Sequence, residues 1–468
     1  MVFSSNLFLF VFLPLTLAGY YLIRRELRNG FLLAMSLLFY AVGEPSFVWV
    51  MIGSIATNYL LGLLLNRTRD SGKLLRRLSL AVAVIIDLSI LFMYKYYDFA
   101  VTNINGLFSA NIPLRHIALP IGISFFTFQG MSYILDVFMG KAKVQKNPLY
   151  VALYIALFPQ LIAGPIVRYV DVESEIATRR ENLDDFSAGI QRFTIGLAKK
   201  IILSNTFALP ADQAFGMPLE SLGPGIAWLG ILAYAMQIYF DFSGYSDMAI
   251  GLGRMFSFHF LENFDYPYTA TNVTSFWRKW HISLSTWFRD YVYIPLGGNR
   301  RGNIYLHLLI VFFLTGIWHG ASWNFILWGM WHGLFLIVER AFRRHHPSVH
   351  VPKPVKWLYT MLVILIGWVL FRAPDLSSAY LYIRAMLFMG GTDNLTTAFC
   401  VSEYWVVFLV GIIAATPILP MLKKLCRNYQ SWRWVLQAVS VASTILLLLA
   451  SIGFSAVTTY NPFIYFNF

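Results

Sequence analysis

Two histidines stand in the most chemically loaded stretch of this chain, Phe240 to Gly333. His319 lies in Thr315-Gly316-Ile317-Trp318-His319-Gly320, between two apolar runs. His281 lies in Phe276-Trp277-Arg278-Lys279-Trp280-His281-Ile282-Ser283. Imidazole is the side chain best poised to move a proton near neutral pH. The glycines flanking Trp318 and His319 would let a substrate or backbone approach closely. Each histidine also has a plainer reading. His319 could be hydrogen-bonded between helices, and His281 could sit on an interfacial helix with aromatics at the boundary and cations toward headgroups. His307 and His332 are taken as packing residues with hydrogen-bond partners.

Asp241 and Asp247 open the same stretch. Six residues apart, they do not share a helix face, so they do not read as a metal pair. They are expected to pair with cations such as Arg278 or Arg289, or to cap helix ends. Arg278, Lys279, Arg289, Arg300 and Arg301 could hold donor phosphates, or could be ordinary loop charges. Other chemistries lack their motifs. There is no Gly-x-Ser-x-Gly elbow, no P-loop and no His-Glu-x-x-His. No histidine is followed five positions on by an aspartate; at that offset from His319 stands Asn324. Cys400 and Cys426 form no metal or redox motif.

The elements that must position these residues are membrane helices. The chain has 468 residues, 58% hydrophobic and 13% charged, against about 25% charged in soluble domains. Apolar runs of spanning length recur, and the alternating segments of a β-barrel are missing. The expectation is an all-α polytopic membrane protein of about 11 to 12 spans plus re-entrant and interfacial helices. The net charge of +13 does not point to nucleic acid, because Lys and Arg cluster in short loops between apolar segments, as cytoplasmic loops require.

In chain order, residues 1–148 read as N-terminal spans. Leu7–Ile23 comes first and is followed, not preceded, by Arg24 and Arg25, so it is expected to be retained with the N-terminus outside. Phe31–Val42, Phe47–Leu65, Leu78–Tyr94 and Ala118–Phe138 follow, with Asp98–His116 as an outer loop. Residues 149–224 read as broken and interfacial. Proline interrupts Tyr150–Ala163, and Gly189–Leu209 carries Arg192, Lys199 and Lys200, so it could span or lie in the interface. Residues 225–345 hold the span Ile226–Leu252, a polar and aromatic segment over 254–303 made of cytoplasmic-side helices and re-entrant loops, and the hairpin Tyr305–Ile317 with Phe325–Val338. From Ile304 to Trp318 is about 22 Å of helix, less than a full hydrocarbon core, so His319 at the tip is expected inside the membrane. An ionisable residue there is a functional candidate by default. Residues 346–468 add Trp357–Phe371, Trp405–Leu419 and Val435–Phe454. No internal repeat supports an ion-coupled transporter.

The central stretch closely resembles the membrane-bound O-acyltransferase (MBOAT) family, in its alginate O-acetylation (AlgI-type) branch. The matching motifs are Tyr239-Phe240-Asp241-Phe242-Ser243-Gly244-Tyr245-Ser246-Asp247, Glu262-Asn263-Phe264, the Phe276 to Ser283 run, Arg289-Asp290-Tyr291, Tyr293-Ile294-Pro295-Leu296-Gly297-Gly298-Asn299-Arg300 and the Thr315 to Gly320 run. Val2-Phe3-Ser4-Ser5, Leu119 to Phe125, Leu161-Ile162-Ala163-Gly164-Pro165 and the ending Tyr460-Asn461-Pro462-Phe463-Ile464-Tyr465-Phe466 are similar too.

The resemblance implies one membrane domain around a transmembrane tunnel, with His319 and His281 on the family's catalytic positions. Substrate contacts are expected from Trp277, Arg278, Lys279, Arg289, Asp290, Asn299, Arg300, Asp241, Trp318 and Asn324, with no metal. It implies no permanently bound cofactor. An acyl thioester, acetyl-CoA, would be donor, and an exported polysaccharide such as alginate the final acceptor. An SGNH-hydrolase-like acetyltransferase on the outer face would be partner, and the bacterial inner membrane the location. A D-alanyl transferase of teichoic-acid type, fed by a carrier protein, and a non-enzymatic acyl or polymer conduit are the competing readings.

Overall fold

The structure is a computed structural model and describes residues 1–162, 164–391, 394–427, 433–457, 460, 462 and 464. Every regular element among them is helical. Among the described residues, seven helices are long and apolar enough to cross a membrane, and three shorter apolar helices accompany them. The protein is therefore a multi-pass membrane protein. The chain divides into two compact units, one of Met1–Phe193 with Tyr245–Leu261, the other of Thr194–Gly244 with Glu262–Phe468.

The first unit holds α1 (Leu13–Leu22), α2 (Arg28–Gly43), α3 (Val48–Arg67), α4 (Lys73–Leu91), α5 (Tyr97–Phe108), α6 (Ile123–Met139), α7 (Pro148–Ala156), α8 (Phe158–Leu161), α9 (Tyr169–Thr178) and most of α10 (Leu183–Ala198). Its core is aromatic: Phe3, Phe8, Phe12, Phe39 and Phe158 pack ring to ring. The expected outer loop after α4 is instead helical to Phe108, through a wide turn at Phe92–Tyr96. Nothing in Tyr97–Phe108 breaks a helix except Gly106, near its end. Asp98 accepts the backbone N–H groups of Arg115 and His116 and so ties down the segment that follows. The proline-interrupted segment breaks at Leu157, between α7 and α8. The freed N–H of Phe158 donates to Ser36 Oγ at 3.1 Å, and the Gln160 amide donates to Tyr154 O. Membrane proteins tolerate broken helices only where protein satisfies the backbone in this way.

The second unit continues with α11 (Asn205–Gly216), the first two-thirds of α12 (Pro224–Met255), α13 (Val273–Trp277), α14 (Ile282–Phe288), α15 (Ile304–His319), α16 (Trp323–His345), α17 (Lys353–Arg372), α18 (Leu376–Met386), α19 (Asn394–Ala414), α20 (Ile418–Arg427) and α21 (Arg433–Val457). Asn303 starts α15 by accepting the N–H groups of Tyr305 and Leu306, the ordinary role of an N-cap amide. α15 and α16 then fold back on each other at Gly320–Ser322. They pack backbone to backbone because Gly316 and Gly329 sit at their crossing, where a Cβ on either would strike the facing main chain. Small residues allow such close approach of membrane helices.

Helices α16 and α17 serve as rulers for the segment between α12 and α15. Glu339, near the α16 C-terminus, accepts the N–H groups of Val273 and Thr274 at 2.6 and 3.3 Å. Trp357, near the α17 N-terminus, donates to Tyr268 O at 2.9 Å. Further along, Trp277 packs on Trp328, and Trp280 on Trp368. Glu339 to Trp328 and Trp357 to Trp368 each span eleven residues, about 17 Å of rise. The chain between Asn263 and His281 therefore runs out to the Glu339 and Trp357 ends of α16 and α17 at Tyr268–Thr274 and comes back toward Trp328 and Trp368, where His281 meets Asn263 again.

Candidate active site

The loop and the hairpin deliver their histidines to one place. The rings of His281 and His319 lie with centroids 6.5 Å apart. Trp318 packs against both, at 5.8 Å from His281 and 4.9 Å from His319. Both histidines are buried, His281 completely. Trp328 and Phe371 complete the wall around His319, at 4.8 and 5.3 Å.

His281 is the N-cap of α14 and holds φ 46°, ψ 53°, left-handed backbone that few side chains other than glycine adopt and that clusters at functional sites. Its ring is fixed on two sides. Phe242 meets it edge-on at 4.6 Å, and Nδ1 lies 3.2 Å from Asn263 Oδ1. That same Oδ1 accepts the backbone N–H of Ser283 at 3.1 Å and its hydroxyl at 2.8 Å. A backbone N–H can only donate, so the shared atom is an acceptor and Nδ1 of His281 carries the hydrogen. The neutral ring then presents a lone pair at Nε2. Nε2 is buried and has no hydrogen-bond partner among the described residues.

Asn263, which holds the His281 ring, is absent from the site residues expected from the sequence. It stood in the Glu262-Asn263-Phe264 motif, but eighteen residues separate it from His281, and only the loop's return brings them together.

The other expected contacts divide. Trp277 joins the histidine region through Trp328, at 5.6 Å. Asn324 is close in sequence to His319, but its amide donates to Ala373 O at 2.8 Å and ties the hairpin to α17. Arg278, Arg289, Asn299 and Arg300 are exposed, whereas the two histidines are buried. Arg289 holds its neighbour Asp290 through two bonds, Lys279 reaches Asp265 at 3.7 Å, and Asn299 accepts from Tyr293 and Arg340. Asp241 does not pair with Arg278 or Arg289. It forms a buried ion pair with Lys200 at 2.6 Å, and Asp247 pairs with Arg192 at 2.7 Å. Both counter-ions come from the segment 189–209, because those cations also need partners once their helix is buried. His307 has the expected partner, Gly298 O at 3.1 Å. His332 does not: neither ring nitrogen has one among the described residues.

Two buried imidazoles, brought together by a hairpin tip and a returning loop, could supply a base and a second polar group for acyl transfer. Residues 122–381 match the family described as MBOAT, membrane-bound O-acyltransferase family. The chain belongs to that family. It is 41% identical over its whole length to the whole of the probable alginate O-acetylase AlgI of Pseudomonas putida. It is 34% identical to the peptidoglycan O-acetyltransferase of Helicobacter pylori, covering 100% of this chain and 98% of that one. Similarity to the teichoic acid D-alanyltransferase of Bacillus subtilis is 31%, over 51% of this chain and 62% of that one. Within the MBOAT family the chain is therefore of the AlgI type, and it is an O-acyltransferase.

Proposed function

We propose that this O-acyltransferase takes an acetyl group from a cytoplasmic thioester, acetyl-CoA, and passes it through the membrane for O-acetylation of an exported polysaccharide. The carrying observation is the pair of buried imidazoles 6.5 Å apart. His319 acts as general base on an incoming hydroxyl, which attacks the thioester carbonyl. His281, with its lone pair at Nε2, orients that hydroxyl. A neutral ring bonded to Asn263 in this way has no hydrogen at Nε2 to offer a carbonyl, which supports the nucleophile over the donor as its ligand.

The chain lies in the bacterial inner membrane with its N-terminus outside, as the order of its first span and following arginines supports. The exposed cations Arg278, Arg300 and Arg301 suit donor phosphates at the cytoplasmic side. His319 packs against Phe371, about 27 Å of helix from Lys353 at the start of α17. That placement favours a donor entering from one side and an acceptor from the other. An SGNH-like acetyltransferase outside is the partner that would carry the group onward. The names of the full-length relatives favour acetyl transfer to a cell-envelope polymer, alginate or another; the D-alanylating relative covers half the chain. Purified protein given labelled acetyl-CoA or a D-alanyl-charged carrier protein separates these donors. Label transfer from acetyl-CoA supports the proposal, and transfer from the carrier alone overturns it.

A further inference from the structure

His332 lies on α16, one turn from Trp328 toward the Glu339 end. Its ring is buried and clasped by two indoles, Trp277 at 5.1 Å and Trp328 at 5.2 Å, both edge to face. Neither ring nitrogen has a hydrogen-bond partner among the described residues, and neither do Trp277 Nε1 and Trp328 Nε1. Buried polar groups in protein are almost always bonded, and an exception needs a reason. Within a membrane helix the demand is stronger.

His307 is the internal control. It too is a buried histidine in an apolar helix of this unit, and it is satisfied by Gly298 O. His332 is not placed for packing in that way. On its other side stands Gly367, where a Cβ would lie 2.7 Å from His332 Nε2. Glycine at that position lets the main chain of α17 pack close to that edge of the ring without a side chain striking the nitrogen.

The order along α16 assigns a use. Arg340, Arg343 and Arg344 lie at its C-terminal end, then Glu339, His332, Trp328 and, against Trp328, His319. A thioester with its phosphates among the cations and its carbonyl at His319 has its sulfur on the His332 side of that carbonyl. We infer that His332 is a further catalytic residue, which donates a hydrogen bond to the sulfur as it leaves. This rests on the thioester reading of the same site. In the transfer step the acceptor oxygen bonds the carbonyl carbon, and the C–S bond breaks with its electron pair on sulfur. The proton taken by His319 ends on that sulfur in the thiol product. His332 carries no net proton; it stabilises the sulfur while it is charged. The unpartnered indole N–H groups of Trp277 and Trp328 suit carbonyl acceptors on the arm behind the sulfur.

The test varies the leaving group. A thiolate of low basicity departs readily without help. The full chain, purified in detergent, is assayed with acetyl-CoA and with an acetyl aryl thioester. Wild type should use both. His332→Phe should lose about 100-fold with acetyl-CoA, in the range of a lost proton-bridging group, and far less with the aryl thioester. His332→Asn, which keeps an N–H donor, should recover part of the acetyl-CoA rate. His319→Ala should lose both donors alike. Equal losses on both thioesters in His332→Phe and His332→Asn overturn the inference and leave the thioester reading standing. A wild type that turns over neither thioester overturns the thioester reading itself, and this inference with it. Should the Phe variant fail to fold, His332→Leu, which also removes the donor, takes its place in the same comparison.

Discussion

Two buried polar clusters occupy the second unit, and they are finished to different degrees. At Lys200 and Asp241, both almost wholly buried, the two charges face each other and further bonds hold them to the C-terminal segment. The ammonium reaches Asp241 at 2.6 Å, Asn205 Oδ1 at 3.2 Å and Pro462 O. The other carboxylate oxygen accepts the N–H of Ile464 at 2.9 Å. At the imidazole and indole cluster, bonding stops short. His281 spends Nδ1 on Asn263 and keeps Nε2 open, and His332 keeps both nitrogens open. The difference teaches how to sort buried polar groups in such a protein. A charge-paired cluster holds helices and the C-terminal segment together, and an open one is the candidate for holding a reactant.

The comparison breaks first at the ion pair. Lys200→Met leaves Asp241 charged and uncompensated, so we expect a loss of about 3–5 kcal/mol in stability, read as a lower unfolding midpoint in detergent. Replacing both partners by apolar residues should recover much of it. If Lys200→Met folds as well as wild type while losing transfer, the pair belongs to the open class.

His281→Ala should show the reverse pattern. Transfer falls by about 100-fold with the unfolding midpoint little changed. The lone pair at its Nε2 also makes His281 competent to take the proton itself. A larger loss in His281→Ala than in His319→Ala would exchange the two roles. Asn263→Ala frees the ring that it aligns and strands the Ser283 N–H. A lost buried bond of about 1–3 kcal/mol predicts a turnover loss of roughly tenfold, smaller than for His281→Ala. A loss as great as that of His281→Ala would place Asn263 on the reactants.

The smallest effect belongs to the first unit. His259 bridges Glu175, 2.8 Å from Nδ1, and Asp185, 3.2 Å from Nε2. Partial burial alone would depress its pKa, but the bonds and charges of the two carboxylates outweigh that and raise it. A histidine raised on folding contributes stability that is fully present below its unfolded value of about 6.5 and is lost as pH rises through the folded one. The unfolding midpoint should therefore drift down above about pH 6.5, and His259→Gln should remove that drift. A drift that persists in His259→Gln places its origin elsewhere.

Much of this was legible in the sequence because membrane physics writes strongly. The hairpin with His319 at its tip follows from apolar length, and the short helices and irregular turns over 254–303 follow from charge and aromatics that interrupt the apolar runs. What the sequence hid was pairing between elements. Asp241 and Asp247 stood in a clear span, and Arg192 and Lys200 in a segment that could span or lie flat. Each pair of charges was the answer to the other, 41 and 55 residues apart. Matching unexplained cations to unexplained anions across apolar segments would have found them, since a buried charge without a partner is too costly to keep. Asn263 was hidden for the same reason: a loop that climbs and returns brings distant residues together without any periodic trace. His332 was read as packing because its apolar context matches that of His307, and only the bonding around the two rings tells them apart.

The central claim is that His319 takes the proton of the incoming hydroxyl. Its most direct test is acetyl transfer from labelled acetyl-CoA by His319→Ala, in protein whose unfolding midpoint equals that of wild type. Transfer should fall by about 100- to 10,000-fold, while the Lys200–Asp241 cluster keeps the fold intact. Transfer at the wild-type rate would contradict it.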